Sequence, residues 1–227
     1  MIMTQLSQGA RLVNAFAACH ASHRFNPGPF NSGYPEMQLV LASTSTYRKQ
    51  LLERLMISFE TARPETDETP LPGETPSATA ERLAVEKARA VAPSFPDALI
   101  IGSDQVAHLG SEVFGKPGTE ERAVAQLQRM RGRTVVFHTA LALINTRSGR
   151  IQCEGVPTLV RFRDLSDDEI RRYVATERPL DCAGSAKSEG LGISLLEALS
   201  GDDPTALIGL PLIALSRMLR AEGVQLP

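Results

Sequence analysis

"QLVLASTSTYRKQLLE", residues 38–53, passes from a run of apolar residues through a cluster of hydroxyls to an arginine and an amphipathic pattern. Gln38–Ala42 reads as a buried strand, and Leu51, Leu52, Leu55 and Met56 recur on one face of the helix that follows. A strand that turns directly into a helix is the building unit of an α/β fold. The turn is also where ligands collect, because a helix N-terminus presents unpaired N–H groups and the positive end of its macrodipole. Ser43, Thr44 and Ser45 can donate to an anion there or cap the helix. Taken alone, the stretch is an ordinary N-cap.

The alternation continues downstream. "ISFETA" (57–62) is a short strand, followed by the polar, proline-punctuated loop "RPETDETPLPGETP" (63–76). Thr75 is placed to cap a helix with Pro76 at its first position, and Leu83, Ala84, Ala88 and Val91 line one face of it. "ALIIGSDQVAHL" (98–109) reads as a buried strand that turns at Gly110–Ser111 into a hairpin with "EVF". The helix after Thr119 has Glu120 and Glu121 in its first turn, Arg129 and Arg131 in its last, and Gly132 as its stop. "TVVFHTALALI" (134–144) and "VPTLVRFRDL" (156–165) are long strands joined through "NTRSG". Ser166 and Glu169 form a capping box for another helix. A glycine-rich loop at 183–192, a strand, the turn "SGDDP" and a helix around "PLIALSRML" complete the chain. The expected architecture is α/β, with a mixed central sheet flanked by helices in two lobes.

A length of 227 residues suits one large domain or two small ones, against about 100–200 residues per domain. The near balance of 24 basic and 26 acidic residues argues against a broad nucleic-acid or membrane-surface interface, but not against a small anionic ligand. Cys19, Cys153 and Cys182 are scattered and odd in number, so neither structural zinc nor a disulfide framework is expected, and a reducing, cytoplasmic setting fits. Cys182 has no histidine near it in sequence and reads as a small core residue. No run approaches the roughly 20 apolar residues of a membrane span.

Residues 1–36 contain one acidic residue, Glu36, and end in the breaker-rich "FNPGPFNSGYPEM". A transit peptide and a short signal-type apolar run ("LVNAFAACHA") are weak readings, because the apolar run is interrupted at Asn14 and the positive charge is slight. The expectation is a disordered extension over residues 1–37, from an overcalled start, preceding a catalytic domain at 38–227.

Several polar groups fall where α/β sheets place ligands. Asp104 interrupts an otherwise apolar strand in "GSDQV", and Lys116 is held between Gly115 and Pro117. Asp67 and Glu68 in the proline-rich loop are oxygen donors suited to a hard cation. Lys87 follows Glu86 on a small-residue helix and, on its own, reads as surface charge. "CAGSAKSEGLG" (182–192) carries glycines at 184, 190 and 192 that let backbone N–H groups approach a ligand, with spacings that fit neither a Walker A loop nor a dinucleotide fingerprint. Basic and hydroxyl groups for an anion, with isolated carboxylates for a metal or a water, suit hydrolysis of a nucleotide or another phosphate ester.

"LASTSTYRKQLL", "DETP", "EKA", "IGSDQV", "GKP", "LDCAGSAKSEGLG" and "GLPLIAL" stand here in the order in which they occur in the Maf family of nucleotide pyrophosphatases, which the chain resembles from about Gln38 to its end. "SDQV" and "GSAKSEGLG" resemble the branch that hydrolyses 7-methyl-GTP, whereas the dTTP/UTP branch has "ADT" in the first place and lacks "KSEG". The resemblance implies a mixed α/β fold with a central cleft. It also implies cleavage of the α–β anhydride to a nucleoside monophosphate and pyrophosphate, a divalent cation (Mg²⁺ or Mn²⁺) and often a homodimer. It makes Asp104 the catalytic proton acceptor. Ser43, Arg48, Lys87 and Lys116 would surround the phosphates, with Lys187 a further substrate-binding group, and Glu68 would serve the metal. Tyr47, Gln105 and Glu189 match the positions that choose the base; tryptophan is common at position 47 in that branch, so Tyr47 is a departure that keeps a ring. Two rival readings stand beside this one: the same chemistry on dTTP, UTP or another modified nucleotide, and a non-catalytic nucleotide-binding regulator of cell division.

Overall fold

Gly102 decides how closely the fold can pack. A Cβ there would lie 2.1 Å from the carbonyl oxygen of Ala84 and 3.0 Å from Ala88 Cβ, so only glycine lets the helix rest on the strand at this point. That strand and helix are part of a computed structural model that describes residues 37–227. All of the expected extension except Met37 lies outside the described residues.

The elements follow the alternation in the sequence: β1 (Gln38–Ala42), α1 (Thr46–Glu53), β2 (Glu60–Ala62), α2 (Pro76–Val91), β3 (Ala98–Leu109), β4 (Glu112–Phe114), α3 (Glu120–Met130), β5 (Thr134–Asn145), β6 (Ile151–Phe162), α4 (Asp167–Glu177), β7 (Leu196–Ser200) and α5 (Leu212–Ala221). The strands form one seven-stranded mixed sheet in the order β2-β1-β3-β5-β6-β7, with β4 on the flank of β3. β1 runs parallel to β2 and β3, and the remaining pairs are antiparallel. The caps are those expected: Thr75, Thr119 and Ser166 each accept a backbone N–H at the start of their helices, and Ser166 with Glu169 completes the capping box.

The long strands carry a large core at each end, with two smaller clusters where α2 packs on β3 and β5. Leu99 and Ile101 of β3 and Leu141 and Leu143 of β5 pack with α1 and α5. Ala107 of β3 and Val135 and Phe137 of β5 pack with α3 and α4. Between them the sheet is left open on one flank. β1 pairs with β3 only as far as Ile101, and β4 begins pairing at Ala107. Residues 102–106 therefore have a strand on the β5 side alone, and this gap is the floor of the cleft between the lobes.

Two local expectations are corrected. The spacing puts Met56 on the buried face of α1, but the helix ends at Glu53 and Met56 adopts φ 54° with 67% exposure, so the helical period no longer applies to it. The strand expected from Val156 starts at Ile151, because β5 and β6 pair down to Ile144 and Ile151 at their tight connection.

Candidate active site

The hydroxyl turn between β1 and α1 divides the two roles open to it. Ser45 is the N-cap, its Oγ accepting from the Arg48 N–H at 3.4 Å. Ser43 is buried, and its Oγ accepts from the Ser45 N–H at 3.1 Å, which holds the turn against the sheet. Thr44 and Thr46 are exposed at the helix mouth. Arg48 reaches back across the cleft and its Nε donates to the Gly209 carbonyl at 2.9 Å. Burial lowers the pKa of this guanidinium, and the charges of Asp104 and Glu68 act against that shift.

Small residues bring Lys87 to the centre. Ala80, Ala84 and Ala88 let α2 lie against β3 and β5, and Lys87, 6% exposed, extends from that face. Its Nζ is 2.6 Å from Asp104 Oδ1 and 2.7 Å from Glu68 Oε1. The reading of Lys87 as surface charge beside Glu86 is thereby corrected, since Glu86 pairs with Arg82 instead. Burial alone would raise the pKa of Glu68. The Lys87 hydrogen bond and the charges of Lys87, Lys116 and Arg48 outweigh it and hold the carboxyl below its ordinary value. The proline-rich loop that carries Glu68 is tied down at its far end, where Glu74 accepts from Arg82 Nε at 2.7 Å, from the Leu71 N–H and from the Thr79 hydroxyl. Asp67 accepts the Thr69 N–H at 2.9 Å and closes a local turn.

Asp104 sits in the open gap of β3, with Ser103 and Gln105 on the opposite face of the strand. Ser103 Oγ donates to the carbonyls of Ala140 and Gly209. Gln105 Nε2 donates to Thr139 Oγ1 and to the carbonyls of Ala206 and Leu207. Segment 206–209 is therefore strapped to β3 and to Arg48, and buried Asp203 supports it by accepting the Thr205 and Ile213 N–H groups. Gly209 has φ 118°, a conformation closed to most other residues. Nothing in "SGDDP" beyond a turn signal marks Asp203 for this work, because its partners lie up to ten residues away.

A cleft of about 1480 Å³ is lined by Ser43, Tyr47, Arg48, Glu68, Lys87, Asp104, Gln105, Lys116 and Glu189, so nine of the ten expected site residues meet there. Lys187 is the exception. Its Nζ pairs with Glu177 at 3.0 Å and lies 5.7 Å from the centroid of the Tyr47 ring, and it does not line the cleft. Glu177 also accepts the Leu191 N–H at 2.7 Å, and the Lys187 N–H donates to the Tyr173 hydroxyl at 3.0 Å, so α4 shapes the glycine-rich loop. Cys182 is corrected from core residue to cleft lining. Burial first and the Asp181 charge second push its thiol up to about 12.

Among the described residues no three His, Cys, Asp or Glu side chains are grouped to cage a metal ion. Two carboxylate oxygens, from Glu68 and Asp104, nevertheless converge on the single point held by Lys87 Nζ. Lys87 fills that point, so a hard cation of the Mg²⁺ type, which takes one or two carboxylates and completes its shell with water and substrate phosphates, would use the carboxylate oxygens of Glu68 and Asp104 that the ammonium leaves over.

A family model described as Maf-like protein matches residues 38–222. The chain belongs to the Maf family. It is 73% identical over 190 residues to a protein from Aromatoleum aromaticum named 7-methyl-GTP pyrophosphatase, a match covering 84% of this chain and 98% of that protein. Proteins of the same name from Thiobacillus denitrificans and Burkholderia thailandensis are 61% and 62% identical, covering 82% and 83% of this chain and 92% and 89% of theirs. The mixed sheet with a cleft at its centre agrees with the Maf-like architecture expected from the motifs.

Proposed function

We propose that the chain hydrolyses the α–β phosphoanhydride of 7-methyl-GTP, giving 7-methyl-GMP and pyrophosphate. The observation that carries the chemistry is Asp104, a buried carboxylate in the stretch of β3 that has a neighbouring strand on the β5 side alone, open to a cleft lined also by Arg48, Lys87 and Lys116. The name shared by relatives 61–73% identical supports the choice of substrate.

In this reading the triphosphate lies at the mouth of α1, where the exposed hydroxyls, the helix N-terminus and the guanidinium of Arg48 receive its oxygens. Lys116 adds a point charge from the opposite wall. Asp104 orients a water toward the α-phosphorus and takes its proton, and Lys87 fixes the carboxylate in place. Glu68 and Asp104 would hold a divalent cation, which when bound neutralises phosphate charge and lowers the pKa of a bound water. Tyr47, Gln105 and Glu189 would face the base. The amide nitrogen of Gln105 is committed to segment 206–207, which leaves its carbonyl oxygen as the acceptor for base N–H groups. Lys187 serves the base end through Tyr47 and is not placed on the phosphates. Homodimerisation is proposed as well and is read by sedimentation.

The test is pyrophosphate release with Mg²⁺ or Mn²⁺ across 7-methyl-GTP, GTP, dTTP, UTP and CTP. The proposal expects the highest kcat/KM for 7-methyl-GTP. Preference for a pyrimidine would replace the substrate and keep the chemistry, and no turnover of any of them would favour the regulator.

A further inference from the structure

Charge is segregated along the cleft. Arg48, Lys87 and Lys116 surround Asp104 and Glu68 at one end. Around the Tyr47 hydroxyl the charged lining side chains whose fields reach it are Asp181 and Glu189, while Arg63, Glu65, Asp67 and Glu74 line the cleft along the proline-rich loop. The cation nearest the ring, Lys187, lies off the lining and is neutralised by Glu177 at 3.0 Å. Asp181 is outside the set of residues the sequence motifs select for base choice, yet it is exposed in the cleft and touches the ring that is in that set. Its Oδ2 accepts from the Tyr47 hydroxyl at 3.4 Å, and its Oδ1 faces the Cys182 thiol at 3.5 Å. The negative field is felt locally: burial first and Cys182 second push the Tyr47 hydroxyl up, with the charges of Asp181 and Glu189 adding to the shift, and the same two charges also raise the Cys182 thiol after burial.

We infer that Asp181 is a further specificity-determining residue, whose carboxylate makes the base end of the cleft select a positively charged purine over its neutral counterpart. The inference rests on the proposed hydrolysis of 7-methyl-GTP. Guanine and 7-methylguanine differ by one methyl group and one positive charge. The methyl buries little area and removes the N7 acceptor, and of these differences the charge is the one a carboxylate reads. A carboxylate at the edge of an aromatic ring serves that purpose twice. It attracts the cation directly, and by accepting the phenol hydrogen it leaves more electron density on the ring face that the cation meets. The opposite polarity of the phosphate end then fixes the direction in which the substrate lies.

Asp181→Asn keeps the size of the side chain and an acceptor for Tyr47 while removing the charge, and Asp181→Glu restores the charge. The measurement is the ratio of kcat/KM for 7-methyl-GTP to that for GTP. In Asp181→Asn the ratio should fall about five- to tenfold, the scale of one solvent-accessible charge contact. The loss should lie in 7-methyl-GTP, with GTP within about twofold, and the effect should shrink in high salt. Asp181→Glu should recover most of it. An unchanged ratio, or equal losses on both substrates, would overturn the role of Asp181 while leaving the proposed reaction standing. Failure of the unsubstituted protein to prefer 7-methyl-GTP would overturn the proposed substrate and this inference with it.

Discussion

Lys87 Nζ stands 2.6 Å from Asp104 Oδ1, and both side chains are nearly buried. Seventeen residues separate them in the chain, and what joins them is the close seating of α2 on β3 at Gly102. The ammonium also holds Glu68, so one cation organises two carboxylates from different elements. Removing it strands two negative charges. Lys87→Met should lower unfolding free energy by about 3 kcal/mol, the usual cost of deleting one partner of a buried pair, and should reduce kcat/KM sharply. Urea denaturation read by fluorescence or circular dichroism checks the first part. Stability within 1 kcal/mol of the parent would contradict it.

Gly102→Ala tests the seating itself. The new Cβ would meet a backbone oxygen at 2.1 Å, which cannot rotate away, so α2 must lift. The expected loss is about 3 kcal/mol, toward the upper end for overpacking, with loss of turnover because Lys87 moves with the helix. Thermal unfolding together with a kinetic assay measures both.

Glu74 should make the fold acid-sensitive through the loop that carries Glu68. Its hydrogen bonds, from Arg82 first and then from Leu71 and Thr79, hold its carboxyl at about 2, below the ordinary 4.5. A carboxyl depressed by folding contributes fully above its unfolded value and loses that contribution as pH falls through the folded one. The stabilisation is therefore complete above pH 4.5 and disappears between about 4.5 and about 2. Urea midpoints of the parent protein should fall more steeply over this window than those of Glu74→Gln, and parallel curves would count against the assignment.

Cys182 lines the cleft without being reactive. With its thiol pushed up to about 12, alkylation by iodoacetamide at pH 8 should run on the order of a hundredfold slower than at an unstructured cysteine. Peptide mapping of native and urea-treated protein reads this directly, and rapid native labelling at residue 182 would refute it.

What could be read from the sequence was what depends on near neighbours. Ser166 and Glu169 are three residues apart, Thr75 caps the helix it precedes, and Leu83 to Val91 repeat at helical spacing, so local chemistry announces them. Asp104 stood out because a carboxylate in an apolar strand needs a reason. Lys87 did not, since its partners come from β3 and the proline-rich loop and only tertiary packing brings them together. The same limit hid Asp181 against Tyr47, 134 residues away, and the pairing of Lys187 with Glu177 off the cleft lining. Cys182 was taken for core because an apolar-tolerant thiol carries no sign of which surface it faces.

If Asp104 activates the attacking water, Asp104→Asn separates binding from chemistry. Substrate affinity by equilibrium binding and kcat by pyrophosphate release should be measured on the same preparation with 7-methyl-GTP. Dissociation constants should stay within about threefold of the parent while kcat falls by about 10²–10⁴, the range for loss of a positioned base. A variant that binds normally and keeps a near-parental kcat would contradict it.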